Sequence, residues 1–132
     1  MNPYASARQA YTESTVMTAS PEQLVVMLYD GAIRFLRQSA EAMRVGNREQ
    51  SRNRMRRAEE VIDELNYSLD TSQGEVAQNL RMIYLFSKRQ LVRANIDGDA
   101  ERIDAVSRML ADLRESWMTI AERAEAAEAK AA

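Results

Sequence analysis

Apolar residues recur every three or four positions through most of the chain, which is the spacing of one face of an α-helix. The stepping is clearest at Ile103, Val106, Leu110, Leu113, Trp117, Ile120 and Ala124. Three earlier segments repeat this spacing, and a serine takes one apolar position in two of them: Ser39 in the first segment and Ser87 in the third. Their apolar members are Val25, Tyr29, Ala32, Leu36 and Met43; Met55, Ala58, Ile62, Leu65 and Leu69; and Val76, Leu80, Ile83, Leu91 and Ala94. The four patterns predict four long amphipathic helices around one core.

Capping and turn residues separate the four segments and set their predicted ends. The motif Ser20–Gln23 (SPEQ) is a helix start, because its serine can cap the N–H of its glutamine and proline suits the first helical position. Gly46-Asn47, positions 70–74 and Asp97–Asp99 are stops, and Asp99 is the expected N-cap of the last helix. The predicted helices are Pro21 to about Val45, about Arg48–Leu69, about Glu75–Ile96, and Ala100 to at least Ala121.

Connections this short force neighbouring helices to run antiparallel, so we expect an all-α antiparallel four-helix bundle. The length of 132 residues predicts a single domain. Positions 1–19 form an N-terminal arm, with a short helical piece expected around Tyr4–Tyr11, and positions 20–121 form the bundle. We expect the tail at 122–132 to fray, since it has no apolar side chain larger than alanine.

The first predicted helix has more apolar surface than one seam requires. We use seam for the single apolar stripe with which a helix packs into the bundle core. With Leu24 at zero on a helical wheel, apolar side chains fill roughly 0° to 200°, whereas one seam needs roughly 100°. The third helix also has apolar residues away from its seam, interleaved with four cations. These surplus residues are Met82, Leu85, Phe86 and Val92, and the cations are Arg81, Lys88, Arg89 and Arg93.

Two interpretations of this surplus stay open. In the first, the first helix is central and touches two neighbours and the arm. In the second, the surplus on both helices is a groove for an amphipathic partner segment. Val25 and Tyr29 would then face the core, while Leu24 and Leu28 would face the arm or the partner. The run Leu24–Tyr29 is too short to cross a membrane, so we expect no stable membrane insertion.

The composition argues against catalysis and against bound cofactors. The chain has no cysteine and no histidine, which removes the thiol nucleophile, the commonest general base and the commonest metal ligand. The paired acids of the second helix cannot complete a Glu-x-x-His metal motif. No glycine-rich phosphate loop is present. We therefore predict a protein that is not an enzyme and has no metal site.

Charge and the N-terminal sequence bear on partners and location. A formal net charge of −2 is not typical of a nucleic-acid-binding protein. The segment Arg44–Arg57 has six arginines, but no aromatic residue interleaves them as a stacking platform would require. We interpret it as a solvated face and expect no nucleic-acid partner. Met1–Ala10 lacks the apolar core of a signal peptide, so the expected location is the cytoplasm.

Three pieces of the sequence together resemble the FliS family of flagellin export chaperones. They are "YTESTVMTASPEQLVVMLYDGAIRFL", "NLRMIYLFSKRQLVRANIDGD" and "LADLRESW". The resemblance runs from about Tyr4 to Trp117. The chain departs from the family pattern at Leu85, where many relatives have an acidic residue after the tyrosine, and this departure adds apolar surface.

The resemblance implies a cytoplasmic chaperone built as a helical bundle. Its client would be the disordered C-terminal region of flagellin, which wraps around the bundle and folds into helices there. Binding would prevent premature polymerisation and aid delivery to a flagellar export-gate protein. The resemblance also implies that the arm covers the apolar surface when no client is bound. The piece "QAYTEST" matches the arm motif of the family. The resemblance therefore implies that Tyr11, and less directly Tyr4, is a partner-binding residue.

Two other classes of function compete with the chaperone. A helical-bundle adaptor without an export client would dimerise through the same apolar surface and double its mass in solution. An RNA-binding bundle would use Arg44–Arg57 and would release nucleic acid steeply with added salt.

Overall fold

Four α-helices make up nearly all of the described chain, which comprises residues 19–70, 72 and 74–131. In this computed structural model the helices are α1 (Pro21–Arg44), α2 (Arg48–Tyr67), α3 (Glu75–Asp97) and α4 (Ala100–Ala131). They confirm the predicted all-α class, and the ends of the first three agree with the predicted ends to within two residues. α4 stays helical through Ala131, so fraying of its last turns in solution stays a prediction.

Local side-chain contacts explain why the helices begin and end where they do. The Gln23 N–H donates to Ser20 Oγ at 3.2 Å, and the Ser20 N–H donates to Gln23 Oε1 at 2.9 Å, which completes the predicted capping box. Asp99 caps α4 as predicted, because its Oδ1 accepts from the Arg102 N–H at 3.1 Å. Gly98 ends α3 with a φ of 67°, a left-handed conformation that glycine adopts without steric cost.

α1 is the central helix of the bundle. It packs extensively against both α2 and α4, whereas α3 contacts α2 and α4 less extensively. Two neighbours bury a wider arc of a helix than one seam does, and this accounts for the broad apolar arc of α1. The buried side chains of that arc include Val26, Leu28, Tyr29, Ala32, Ile33 and Leu36. The part of the first interpretation that places α1 between two neighbouring helices therefore holds, and its contact with the arm lies outside the described residues.

Small polar residues lie inside the core, and two of them, Ser39 and Ser87, stand where the sequence pattern predicts core positions. Ser39 on α1 and Ser51 on α2 are buried, and Ser39 Oγ donates to the Ser51 carbonyl oxygen at 2.8 Å. On α3, the buried Ser87 Oγ donates to the Ile83 carbonyl oxygen at 2.8 Å. Each hydroxyl therefore has a partner, and buried hydroxyls need one because an unpaired polar group is costly in the core.

A pair of buried tyrosines attaches α3 to the rest of the bundle. The hydroxyls of Tyr29 on α1 and Tyr84 on α3 lie 2.5 Å apart and share a hydrogen bond. Their ring centroids are 6.4 Å apart, and the indole of Trp117 on α4 lies beside the Tyr29 hydroxyl. Burial raises the pKa of both hydroxyls above their ordinary value of 10.0, because the charged phenolate would lose its hydration.

This tyrosine pair predicts a specific loss of stability at alkaline pH. The folded state holds the phenolic protons more tightly than the unfolded state, so their stabilisation is complete below pH 10.0 and is lost as the pH rises above it. We expect a loss of up to about 1.4 kcal/mol per pH unit for each proton. The double variant Tyr29→Phe/Tyr84→Phe should lose less stability between about pH 9 and pH 11 in urea titrations. An equal loss in both proteins would contradict this assignment.

Two seam residues lie outside the core, contrary to their predicted place. Ile120 on α4 and Val76 in the first turn of α3 are exposed, and Ala121 is the buried residue at that level of α4. α4 has 32 residues and α1 has 24, so α4 is about 12 Å longer at 1.5 Å per residue. Among the described residues, the last turns of α4 therefore lack the neighbouring helices that bury its earlier turns.

Candidate partner-binding surface

The two faces of α3 differ in what they contact. Its inner face is buried against the bundle through Tyr84, Ser87, Leu91 and Ala94. Its opposite face exposes large apolar side chains, from 41% for Leu85 to 67% for Met82 and Ile96. We call Met82, Leu85, Arg89, Val92 and Ile96 the outer stripe, because steps of three and four place them in one line along the helix. Phe86 is exposed beside this stripe.

A second apolar surface is an open cleft at the end of the bundle where α1 begins. The cleft has a volume of about 400 Å³ and lies between the first turns of α3, the preceding loop and α4. We call it the end cleft. Its apolar lining includes Leu69, Val76, Leu80, Leu113, Trp117 and Ile120. The sequence analysis missed this cleft, because it had placed all six residues in helix seams. Several of them stand at the ends of their apolar patterns, and this position was the signal that could have indicated a cleft.

The charges around the outer stripe are predominantly positive. Lys88 Nζ lies 2.6 Å from Asp63 Oδ1 on α2, and Arg93 Nε lies 3.4 Å from Asp97 Oδ2 one turn along α3. Arg81 and Arg89 are exposed, and neither forms an ion pair with any residue in the described ranges. The face of α3 that could receive a partner is therefore apolar with unneutralised guanidinium groups.

The arginine-rich segment has contacts within the bundle. Arg44 hydrogen-bonds Glu101 at 3.0 Å and also pairs with Asp104, both on α4. Arg48 Nη2 donates to a backbone carbonyl oxygen of α3 at 2.6 Å. The guanidinium carbon of Arg57 lies 5.6 Å from the ring centroid of Phe35. These contacts support the interpretation of Arg44–Arg57 as part of the bundle surface.

The structure corrects one of the predicted partner-binding residues. Leu28 is 4% exposed and belongs to the core cluster, because α1 is enclosed by two neighbours, so its assignment to an outward surface is wrong. Leu24 is half-buried. Tyr4 and Tyr11 lie outside the described residues. The remaining predicted residues, Met82, Leu85, Phe86 and Val92, are all exposed on α3.

The described residues offer a surface for binding. Among them, no group of three or more acidic side chains is placed to hold a metal ion. None of the four helices is both long enough and apolar enough to span a bilayer. An exposed apolar stripe flanked by cations can bind an amphipathic protein segment. The fold and surface therefore define a class, that of helical-bundle proteins with an exposed apolar face on one helix.

Comparison with known proteins identifies the family within that class. The model of the FliS family, described as "Flagellar protein FliS", matches residues 4–124. The chain is 35% identical over 124 residues to the flagellar secretion chaperone FliS of Salmonella typhimurium, covering 92% of each chain. It is 33% identical over 116 residues to the Bacillus subtilis protein of the same name, covering 88% of this chain and 84% of that protein. The chain therefore belongs to the FliS family, which confirms the resemblance.

Family membership also bears on catalysis. The curated relatives carry the name flagellar secretion chaperone, so the family is one of chaperones and not of enzymes. This agrees with the prediction of a non-catalytic protein.

Proposed function

We propose that this chain is a cytoplasmic chaperone for flagellin in flagellar export. Its client site is the exposed apolar face of α3, and the bound segment is the disordered C-terminal region of flagellin. Binding keeps flagellin from polymerising prematurely and aids its delivery to a flagellar export-gate protein. The observation that carries this proposal is the row of exposed apolar side chains on α3 in a member of a chaperone family.

The size of the apolar surface suits a client that folds as it binds. Ordering a disordered segment costs about 1–2 kcal/mol per residue. Coupled folding and binding recovers this by burying about 1,000–3,000 Å². The outer stripe runs along α3 and the end cleft borders the first turns of the same helix, so both add to the apolar surface that a bound segment can bury. The ordering cost also keeps the net affinity moderate, which allows the client to be released.

Copurification with flagellin tests the proposal. The chain and flagellin of the same organism should form a one-to-one complex, and the chain alone should run as a monomer in sizing with mass detection. Absence of a complex would contradict the proposal. A doubled mass without flagellin would instead favour the dimerising adaptor, and copurified RNA released by salt would favour the RNA-binding bundle.

Deleting Met1–Tyr11 tests the proposed covering role of the arm. We expect the truncated protein to bind flagellin more tightly by about 1 kcal/mol, or several-fold in Kd, because a covering arm competes with the client. Tyrosines suit such a releasable contact, since they give large contact area with little rotamer entropy to lose. The measurement is calorimetry on a truncated protein shown to be folded. Weaker binding would indicate that the arm clamps the client, and an unchanged Kd would contradict both roles.

A further inference from the structure

The outer stripe has the spacing of a helix–helix seam. Its members follow one another at steps of three, four, three and four residues, from Met82 to Ile96. Side chains with this alternation pack best against a second α-helix, since an extended segment repeats every two residues. The seam contains one charged residue, Arg89, which stands at its midpoint with two apolar residues on either side. Arg89 is exposed and forms no ion pair within the described residues.

The central position of Arg89 argues against a second copy of this chain as the occupant. If two α3 helices paired about the centre of the stripe, antiparallel or in parallel register, Arg89 of one copy would face Arg89 of the other. Like charges opposed in a partly desolvated seam repel each other and disfavour that pairing. A partner with a carboxylate at that point would instead neutralise the guanidinium. Arg81, which is also exposed on α3 and forms no ion pair among the described residues, adds to the positive potential.

We infer that the segment bound on the outer stripe is an amphipathic α-helix with one Asp or Glu in its apolar seam, placed opposite Arg89. The inference rests on the proposed function for the identity of the partner, which is the C-terminal region of flagellin. The ion pair sets the register of the bound helix, because a polar residue at one seam position is satisfied in only one alignment. It also discriminates against apolar helices that would leave the guanidinium desolvated and unpaired.

A charge-reversal experiment tests the pairing. Calorimetry with the recombinant C-terminal region of flagellin would compare Arg89→Glu with Arg108→Glu, which makes the same charge change at an exposed site on α4. We expect Arg89→Glu to weaken binding about tenfold or more and Arg108→Glu to change it less than about twofold. Reversing single acidic residues of the flagellin segment to lysine should then restore binding to Arg89→Glu at one position only.

The variant Arg89→Met adds a second readout, because it makes the stripe apolar along its whole length. We expect it to bind flagellin with a weaker salt dependence than the wild type and to self-associate in sizing. Both variants should keep the wild-type circular dichroism spectrum, since Arg89 is exposed.

The possible outcomes separate the two proposals. If the wild type does not bind flagellin, the proposed function is wrong. If it binds but Arg89→Glu and Arg108→Glu weaken binding equally, the inference alone is overturned. The inference would also be overturned if no single charge reversal in flagellin restored binding, or if many of them did. A wild-type dimer cross-linked through α3 would overturn it as well.

Discussion

Replacing Leu110 with alanine is expected to lower the free energy of unfolding by about 2–5 kcal/mol. Leu110 lies on α4 with 0% of its surface exposed, and it belongs to the core cluster shared with α1. The substitution removes buried methyl groups and leaves a cavity, because the surrounding helices relax only in part. Urea unfolding followed by circular dichroism would measure the change.

The same substitution at Leu85 is the matched control for Leu110→Ala. Leu85 is 41% exposed on the outer stripe, whereas Leu110 is 0% exposed, so truncating Leu85 deletes less buried surface and leaves no enclosed cavity. We expect a loss below about 1 kcal/mol at this site. If Leu85→Ala cost as much as Leu110→Ala, the outer stripe would be part of the core and the proposed binding surface would be lost.

The ends of the helices could be predicted from the sequence because the signals that set them are local. Ser20 and Asp99 cap the helices that follow them through hydrogen bonds three residues along the chain. Gly98 supplies the left-handed turn between α3 and α4. Each signal works within one turn of backbone, so no knowledge of the tertiary structure is needed to read it.

The faces of the helices were harder to predict, because a periodic pattern does not give the number of neighbours a helix has. A wide apolar arc looks the same whether it lies between two helices, as on α1, or faces solvent in part, as on α3. Leu28 was misassigned for this reason. On α3 the interleaved arginines were the better guide, since cations are rarely buried without partners and mark the side that faces solvent.

The end cleft was missed because it depends on how far each helix extends beyond its neighbours. Val76 and Ile120 follow the seam pattern of their own helices, yet no helix among the described residues buries either of them. The relative axial position of two helices comes from long-range contacts. One such contact is the pairing of Arg44 at the end of α1 with Glu101 in the first turn of α4. No local signal in the sequence specifies that pairing.

The weaker attachment of α3 to the bundle matters for the proposed client site. α3 contributes few buried side chains to the core, and its inner and outer faces are occupied by different residues. Changes on the outer face should therefore affect binding without disturbing Tyr84 and Leu91, which hold the helix in place. If the proposed client site is correct, variants of the outer face should therefore change binding and leave stability nearly unchanged.

Replacing Leu85 and Phe86 together with glutamine is expected to weaken flagellin binding by about 3 kcal/mol, more than a hundredfold in Kd. Both side chains are large, apolar and exposed on α3, and a bound client would bury them. Polar substitutes would lose that burial and leave amide groups to be desolvated. Calorimetry with flagellin would measure the change, and circular dichroism would show that the bundle remains folded.

The matched control is the double variant Val45→Gln/Tyr67→Gln, which removes two exposed apolar side chains away from α3. We expect it to bind flagellin within about twofold of the wild type, because exposed apolar residues scattered singly carry no binding site. Equal losses in the two double variants would show that the client does not select the face of α3. Unfolding of the Leu85/Phe86 variant would show instead that this face supports the bundle, because a change confined to a solvent-facing surface leaves core packing intact.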